Sequence, residues 1–139
     1  MSATVIADTG PLVAVADRDD THHEECVGFF DGYAGVVIVP APVVVEVCWL
    51  LAGRVSPHAE AAFLAGLSGE DLRVVDLNPG DYQRAGNLVE RYADLDLGFV
   101  DASVITLAER HRVDTIVTID RRHFHVVRPS HVDVFTLLP

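Results

Sequence analysis

Four acidic residues each stand alone in a stretch that otherwise reads as core, and any fold this chain adopts must accommodate them. Asp8 is the only charge between Ser2 and Ala16, and Glu46 is the only one between Gly35 and Gly53. Asp101 is alone between Leu97 and Ala108, and Asp120 closes the run Thr115-Ile-Val-Thr-Ile119. A carboxylate among apolar residues loses hydration that its own neighbourhood cannot replace, so it takes a partner, a proton or a metal. Four such positions suggest one shared cation.

The order of elements says how they would meet. Short β-branched runs at Thr4–Ala7, Val36–Val39, Leu72–Leu77, Thr115–Ile119 and Val132–Leu138 read as strands. Between them lie helical patterns at Thr21–Tyr33, Val43–Ala52, Pro57–Leu67, Tyr82–Tyr92 and Leu97–His111, the fourth opened by Asn78-Pro79-Gly80-Asp81 as cap and first turn. Pro11–Ala16 is too short for periodicity to separate helix from strand. Alternating strands and helices predict an α/β fold, a central and mostly parallel sheet with helices on both faces. In such a sheet ligands sit beyond the carboxyl ends of the strands. Asp8 and Asp120 each end a strand, Glu46 enters from the helix after the second strand, and Asp101 lies in an opening helical turn where the helix dipole favours an anion.

Composition narrows the chemistry. With 139 residues, half of them apolar, the chain has the size of one domain spanning 1–139. A formal charge of −11 argues against a broad cationic face for gripping nucleic acid. All ten basic residues are arginine. Without lysine, phosphate-loop nucleotidases, Schiff-base enzymes and phospho-acceptor receivers are excluded, while arginine's planar fork still suits phosphate. Cys26 and Cys48 read as reduced core thiols of a cytoplasmic protein. Neither the amino terminus nor the Gly35–Gly53 run reads as a signal or membrane segment, the latter because of Pro40, Pro42 and Glu46.

Carboxylates without histidine or thiolate suit a hard divalent ion, Mg²⁺ or Mn²⁺. Such an ion polarises a phosphoryl oxygen and acidifies a bound water, which is the chemistry of phosphodiester hydrolysis and needs no nucleophilic side chain. Thr9 and Thr118 are placed to support the carboxylates by their hydroxyls, with Ser103 a weaker candidate.

The motifs Asp8-Thr9-Gly10-Pro11-Leu12, Val-Val-Val-Glu46, Gly98-Phe-Val-Asp101-Ala-Ser103 and Thr118-Ile-Asp120-Arg-Arg-His-Phe124 resemble those of PIN-domain ribonuclease toxins of the VapC type. The resemblance runs over essentially the whole chain, including the closing Phe135-Thr-Leu-Leu-Pro139. It implies a PIN-like fold, an endoribonuclease dependent on Mg²⁺ or Mn²⁺, and Asp8, Glu46, Asp101 and Asp120 as metal-binding catalytic acids with Thr9 and Thr118 beside them. It further implies a VapB-type antitoxin as inhibitor, a homodimer, and structured RNA, a tRNA or rRNA, as substrate. Some relatives carry an acid at the position of Asp96, whose role stays open. Binding RNA despite the negative charge would require a local patch, for which Arg121, Arg122 and Arg128 are candidates, with Arg110, Arg112 or Arg54 in support.

Two rival functions follow from the same residues. Asp8-Thr9-Gly10 is also the aspartic-protease loop, but that chemistry needs a β-rich dimeric fold and leaves the other three acids unexplained. An inactive module of the same fold would keep the acids only to attract an antitoxin arginine. Elsewhere, His22 and His23 among Asp19, Asp20, Glu24 and Glu25 read first as a solvated helix face and second as a transition-metal site. His123 and His125 read as surface residues of a strand or turn, and Trp49 and Phe99 as core or interface aromatics.

Overall fold

The computed structural model describes residues 3–139. Strands β1 (Val5–Ala7), β2 (Val37–Pro40), β3 (Leu72–Val75), β4 (Thr115–Val117) and β5 (Thr136–Leu138) alternate with helices α1 (Thr9–Ala16), α2 (His23–Gly32), α3 (Ala41–Arg54), α4 (Pro57–Gly66), α5 (Pro79–Arg91), α6 (Phe99–His111) and α7 (Arg122–Val126). The strands form one sheet in the order β3-β2-β1-β4-β5, with every neighbouring pair parallel. Every residue of β1 and β2 is buried, as expected of strands covered on both faces, while β3 and β5 are partly exposed edges.

The chain moves from β1 outward through β2 to β3, then returns across the sheet to β4 on the other side of β1. Right-handed crossovers place the helices of these two directions on opposite faces. The carboxyl ends of β1 and β4 therefore flank the point where the connections diverge, the place at which an open parallel sheet leaves a crevice.

Local chemistry accounts for the helices that shape this crevice. Asn78 and Asp81 form a reciprocal capping box at α5, with bonds of 2.8 and 2.9 Å, and Ser56 caps α4 by accepting the Ala59 amide at 3.1 Å. Helix α3 buries Val43, Val47 and Leu51, one residue per turn, which leaves Val45 and Trp49 outside and Glu46 at the flank. Helix α6 is buried from Ala102 to Ala108. Only its two ends can therefore carry charge, and Asp101 occupies the first.

Several expectations require correction. The ambiguous Pro11 segment is helical, because proline is tolerated in a first turn. His123 and His125 lie in the short helix α7 rather than in a strand or turn. The last strand begins at Thr136 rather than Val132. The residues before it are held by side chains instead, the Ser130 amide on Glu109 at 2.7 Å and His131 on the Val113 carbonyl at 2.6 Å. Of the two readings of Trp49 and Phe99, core falls because both are exposed and interface stands, and Cys48 is only half-buried, although both thiols are free. The parallel sheet bears no relation to the β-rich scaffold of an aspartic protease. No helix among the described residues is long and apolar enough to cross a membrane.

Candidate metal-binding active site

Asp8, Glu46, Asp101 and Asp120, drawn from four separate segments, line a single cleft of about 350 Å³. Asp8 follows β1 directly and its amide continues the ladder to the Val117 carbonyl at 2.9 Å. Thr118 follows β4, so parallel pairing of these strands sets the two side chains next to each other. The Thr118 hydroxyl stands 3.1 Å from Asp8 Oδ2 and 3.0 Å from the Asp120 carbonyl. Glu46 reaches the cleft from the flank of α3, and Asp101 from the third position of α6.

The electrostatics are those of crowded acids. Asp8 is 8 % exposed, and burial pushes its carboxyl up to about 7. The Asp101 and Glu46 charges add to this, while the Thr9 amide and Thr118 hydroxyl oppose it. Asp101 is likewise raised by burial, against the pull of His123, and the charges of Glu46 and Asp120 push it further up. Asp120 is held below the usual carboxylate range by its bonds to exposed Arg122. Acids that raise one another's proton affinity also raise their affinity for a cation, since either relieves the same repulsion.

The cleft offers a hard ion carboxylate oxygens and the Thr9 hydroxyl, with the imidazoles of His22 and His123 in its lining and no thiol. Thr9 adds a more direct indication, because its buried hydroxyl has no hydrogen-bond partner in the protein. Among the described residues, no three acidic, histidine or cysteine side chains stand together as a ready-made cage. Two of the acids are turned toward bases instead, Asp101 to His123 at 2.7 Å and Asp120 to Arg122 at 2.9 Å.

Comparison with known proteins identifies the family of this fold. The PIN domain family model matches residues 5–129. The chain is 35% identical over 135 residues to ribonuclease VapC26 of Mycobacterium tuberculosis strain H37Rv, covering 97% of this chain and 100% of that protein. It belongs to the VapC-type PIN-domain family. Among solved structures this PIN domain is similar to M. tuberculosis VapC20, a sarcin-ricin-loop-cleaving toxin, with a TM-score of 0.80 and 20% identity over 84% of this chain and 90% of that one. It also resembles VapBC2 of Rickettsia felis bound to a promoter DNA fragment, with a TM-score of 0.67 and 14% identity over 96% of each chain. A toxin-antitoxin complex from Klebsiella pneumoniae gives a TM-score of 0.68 and 17% identity over 88% of this chain and 92% of that one. At these identities the structures speak for the fold.

The remaining expected residues fall in different places. Ser103 is buried and donates to the Val100 carbonyl at 2.7 Å, inside its own helix. Asp96 is exposed and ends a 3-10 turn in the left-handed conformation with φ 54°, which accounts for a small polar residue there without a role in the cleft. Arg121 donates to the Pro139 carbonyl, Arg122 to Asp120, and Arg128 to the His125 carbonyl at 3.4 Å. Arg110 is committed to Asp81 at 3.0 Å, and Arg112 caps α6 in a left-handed turn. The PIN domain lines its cleft instead with Arg54, together with His22 and His123. His23 is turned away from its helix face to the Ala14 carbonyl at 2.6 Å. Sequence gave little warning of His123. Its lying three residues after Asp120 becomes informative only once α7 is known to fold back beneath Asp101.

A second, apolar hollow of about 750 Å³ adjoins the acidic cleft and shares Glu46 with it. Its walls include Val45, Trp49 and the stacked pair Tyr82 and Phe99, whose rings lie 6.0 Å apart.

Proposed function

We propose that this PIN domain is an endoribonuclease dependent on Mg²⁺ or Mn²⁺, the toxin of a type II toxin-antitoxin pair, and that it hydrolyses phosphodiester bonds in structured RNA. The observation that carries this reading is the convergence of Asp8, Glu46, Asp101 and Asp120 on one cleft at the divergence point of the sheet, with Asp8 raised to about 7. These four acids hold the ion, and the unpartnered Thr9 hydroxyl is free to accept or donate a bond there. Once bound, the ion supplies Lewis-acid stabilisation of phosphoryl charge and an acidified water as nucleophile. Thr118 fixes Asp8 in place. Arg54, on the last turn of α3, is the cation positioned to hold a substrate phosphate against the otherwise repulsive acidic cleft. The products are a 5′ phosphate and a 3′ hydroxyl, and a tRNA or rRNA is the substrate class.

The inhibitor is a VapB-type antitoxin whose arginine enters the cleft and competes with the ion for the same carboxylates. The exposed Val45, Trp49, Tyr82 and Phe99 support association of two copies through this face. The pair operates in the cytoplasm.

Protein freed of antitoxin should nick a total RNA pool in Mn²⁺, and Asp101→Asn should lose at least ~100-fold of that activity. Equal cleavage by both proteins would identify a contaminating nuclease. Tight antitoxin binding by a wild-type protein that never turns over would favour the inactive module. Cleavage of casein, blocked by a pepstatin-like inhibitor, would revive the protease reading.

A further inference from the structure

His123 is joined to Asp101 by the most direct side-chain contact in the cleft. Its Nδ1 lies 2.7 Å from Asp101 Oδ2, and the side chains of the pair are 22% and 23% exposed. The two residues belong to different elements, α7 and α6, so the bond ties the short helix after β4 to the opening turn of the buried helix. Helix α7 is itself anchored by Phe124, which is 1% exposed, so the ring has a fixed base from which to reach.

Asp101 needs such a tether. A carboxylate on the first turn of a helix can rotate between the cleft and the helix amides, and its neighbours Glu46 and Asp120 repel it from the cleft. A donor on one oxygen restricts that rotation and leaves the other oxygen available. Histidine is suited to this because its ring can donate from Nδ1 to one carboxylate oxygen from a fixed base on a neighbouring helix.

We infer that His123 is a positioning residue for Asp101: its Nδ1–H holds Oδ2 and keeps the other carboxylate oxygen directed to the ion site. The inference rests on the nuclease reading above and assigns a task to a side chain that would otherwise count as surface. Unwinding of α7 would take the ring away from Asp101.

The test compares His123→Ala with His123→Asn in the full-length protein, because the asparagine amide reproduces the Nδ1 donor and alanine does not. Mn²⁺ affinity is read by calorimetry on the RNA-free protein, alongside thermal melting without metal and steady-state cleavage. Loss of a group that orients a ligand lowers metal affinity about 10- to 100-fold. His123→Ala should show that loss and a lower kcat with little change in KM, while melting within a few degrees of wild type. His123→Asn should recover most of the affinity. Proton-nitrogen spectra of the metal-free protein should show the ring protonated at Nδ1. Wild-type Mn²⁺ affinity in His123→Ala overturns the inference alone, as does an asparagine variant no better than alanine. A wild-type protein that takes up no Mn²⁺ defeats the nuclease reading and the inference together.

Discussion

The Thr118 hydroxyl sits between Asp8 and Asp120, 3.1 Å from the carboxylate of the first and 3.0 Å from the carbonyl of the second. A hydroxyl has one proton and cannot donate to both. Its bond to Asp8 favours the charged carboxylate and works against the rise to about 7 that burial imposes. Thr118→Val keeps the shape and removes this donor, leaving Asp8 without its side-chain partner. Urea denaturation of the metal-free variant should show a loss of about 1–3 kcal/mol, with weaker Mn²⁺ uptake. Unchanged stability and affinity would show that the hydroxyl is incidental.

Burial of Asp8 sets a pH dependence. Between an unfolded value near 3.8 and a folded value of about 7, the native protein retains a proton at Asp8 that the unfolded chain has released. Stability of the metal-free protein should therefore fall as pH rises through that window, by at most about 1.4 kcal/mol per pH unit, and level off above it. Asp8→Asn should flatten the slope to the part that Asp101 contributes, be the more stable protein at pH 8 without metal, and gain nothing from Mn²⁺. Melting curves across pH 4–8 that superimpose for the two proteins would contradict the burial argument.

Arg84 and Glu109 act in the opposite sense and at lower pH. Burial favours the protonated form of Glu109, but bonds from Arg84 at 2.8 Å and from the Ser130 amide at 2.7 Å outweigh it and lower its pKa. A lowered carboxylate contributes above its ordinary pKa and loses that contribution on acidification. Arg84→Ala should cost roughly 2 kcal/mol at pH 7, less than a fully buried pair because the arginine is 34% exposed. The deficit should shrink toward pH 3 while metal uptake at pH 7 stays normal. A deficit independent of pH would mean that packing, not the ion pair, holds α5 to α6.

Arg54 offers a test of substrate binding. Arg54→Ala should raise KM with kcat nearly unchanged, and should reduce by about one the slope of log affinity against log salt. Arg128→Ala, outside the cleft, should do neither. The reverse pattern would move the RNA path to the α7 side.

Trp49 is 76% exposed on the wall of the apolar hollow. Trp49→Asp should shift the molecular mass measured by light scattering from two copies to one without lowering the melting point by more than a few degrees. A wild-type protein that is monomeric at micromolar concentration would remove this face as a self-association surface.

Much of the site was legible in advance because isolation of a charge in an apolar run is a property of sequence. Asp8, Glu46, Asp101 and Asp120 stand out on that ground alone, and strand-helix alternation says that two of them end strands. The capping box at Asn78 and Asp81 was equally readable, since both partners lie within one turn. Periodicity could not separate helix from strand at Pro11–Ala16, nor foresee that α7 rather than a strand follows Asp120, because five to eight residues contain too few turns to show a period.

The sequence by itself determined that four isolated acids had to be reconciled with a parallel α/β fold, because local hydropathy and caps act over a few residues. Only the tertiary structure decided which basic groups attend them. Arg54 and His123 rather than Arg121 or Arg128 line the cleft, and Arg110 is occupied with Asp81. Those pairings depend on where α3, α6 and α7 end in space, and hydrogen bonds across 22 or 110 residues leave no local pattern in the chain.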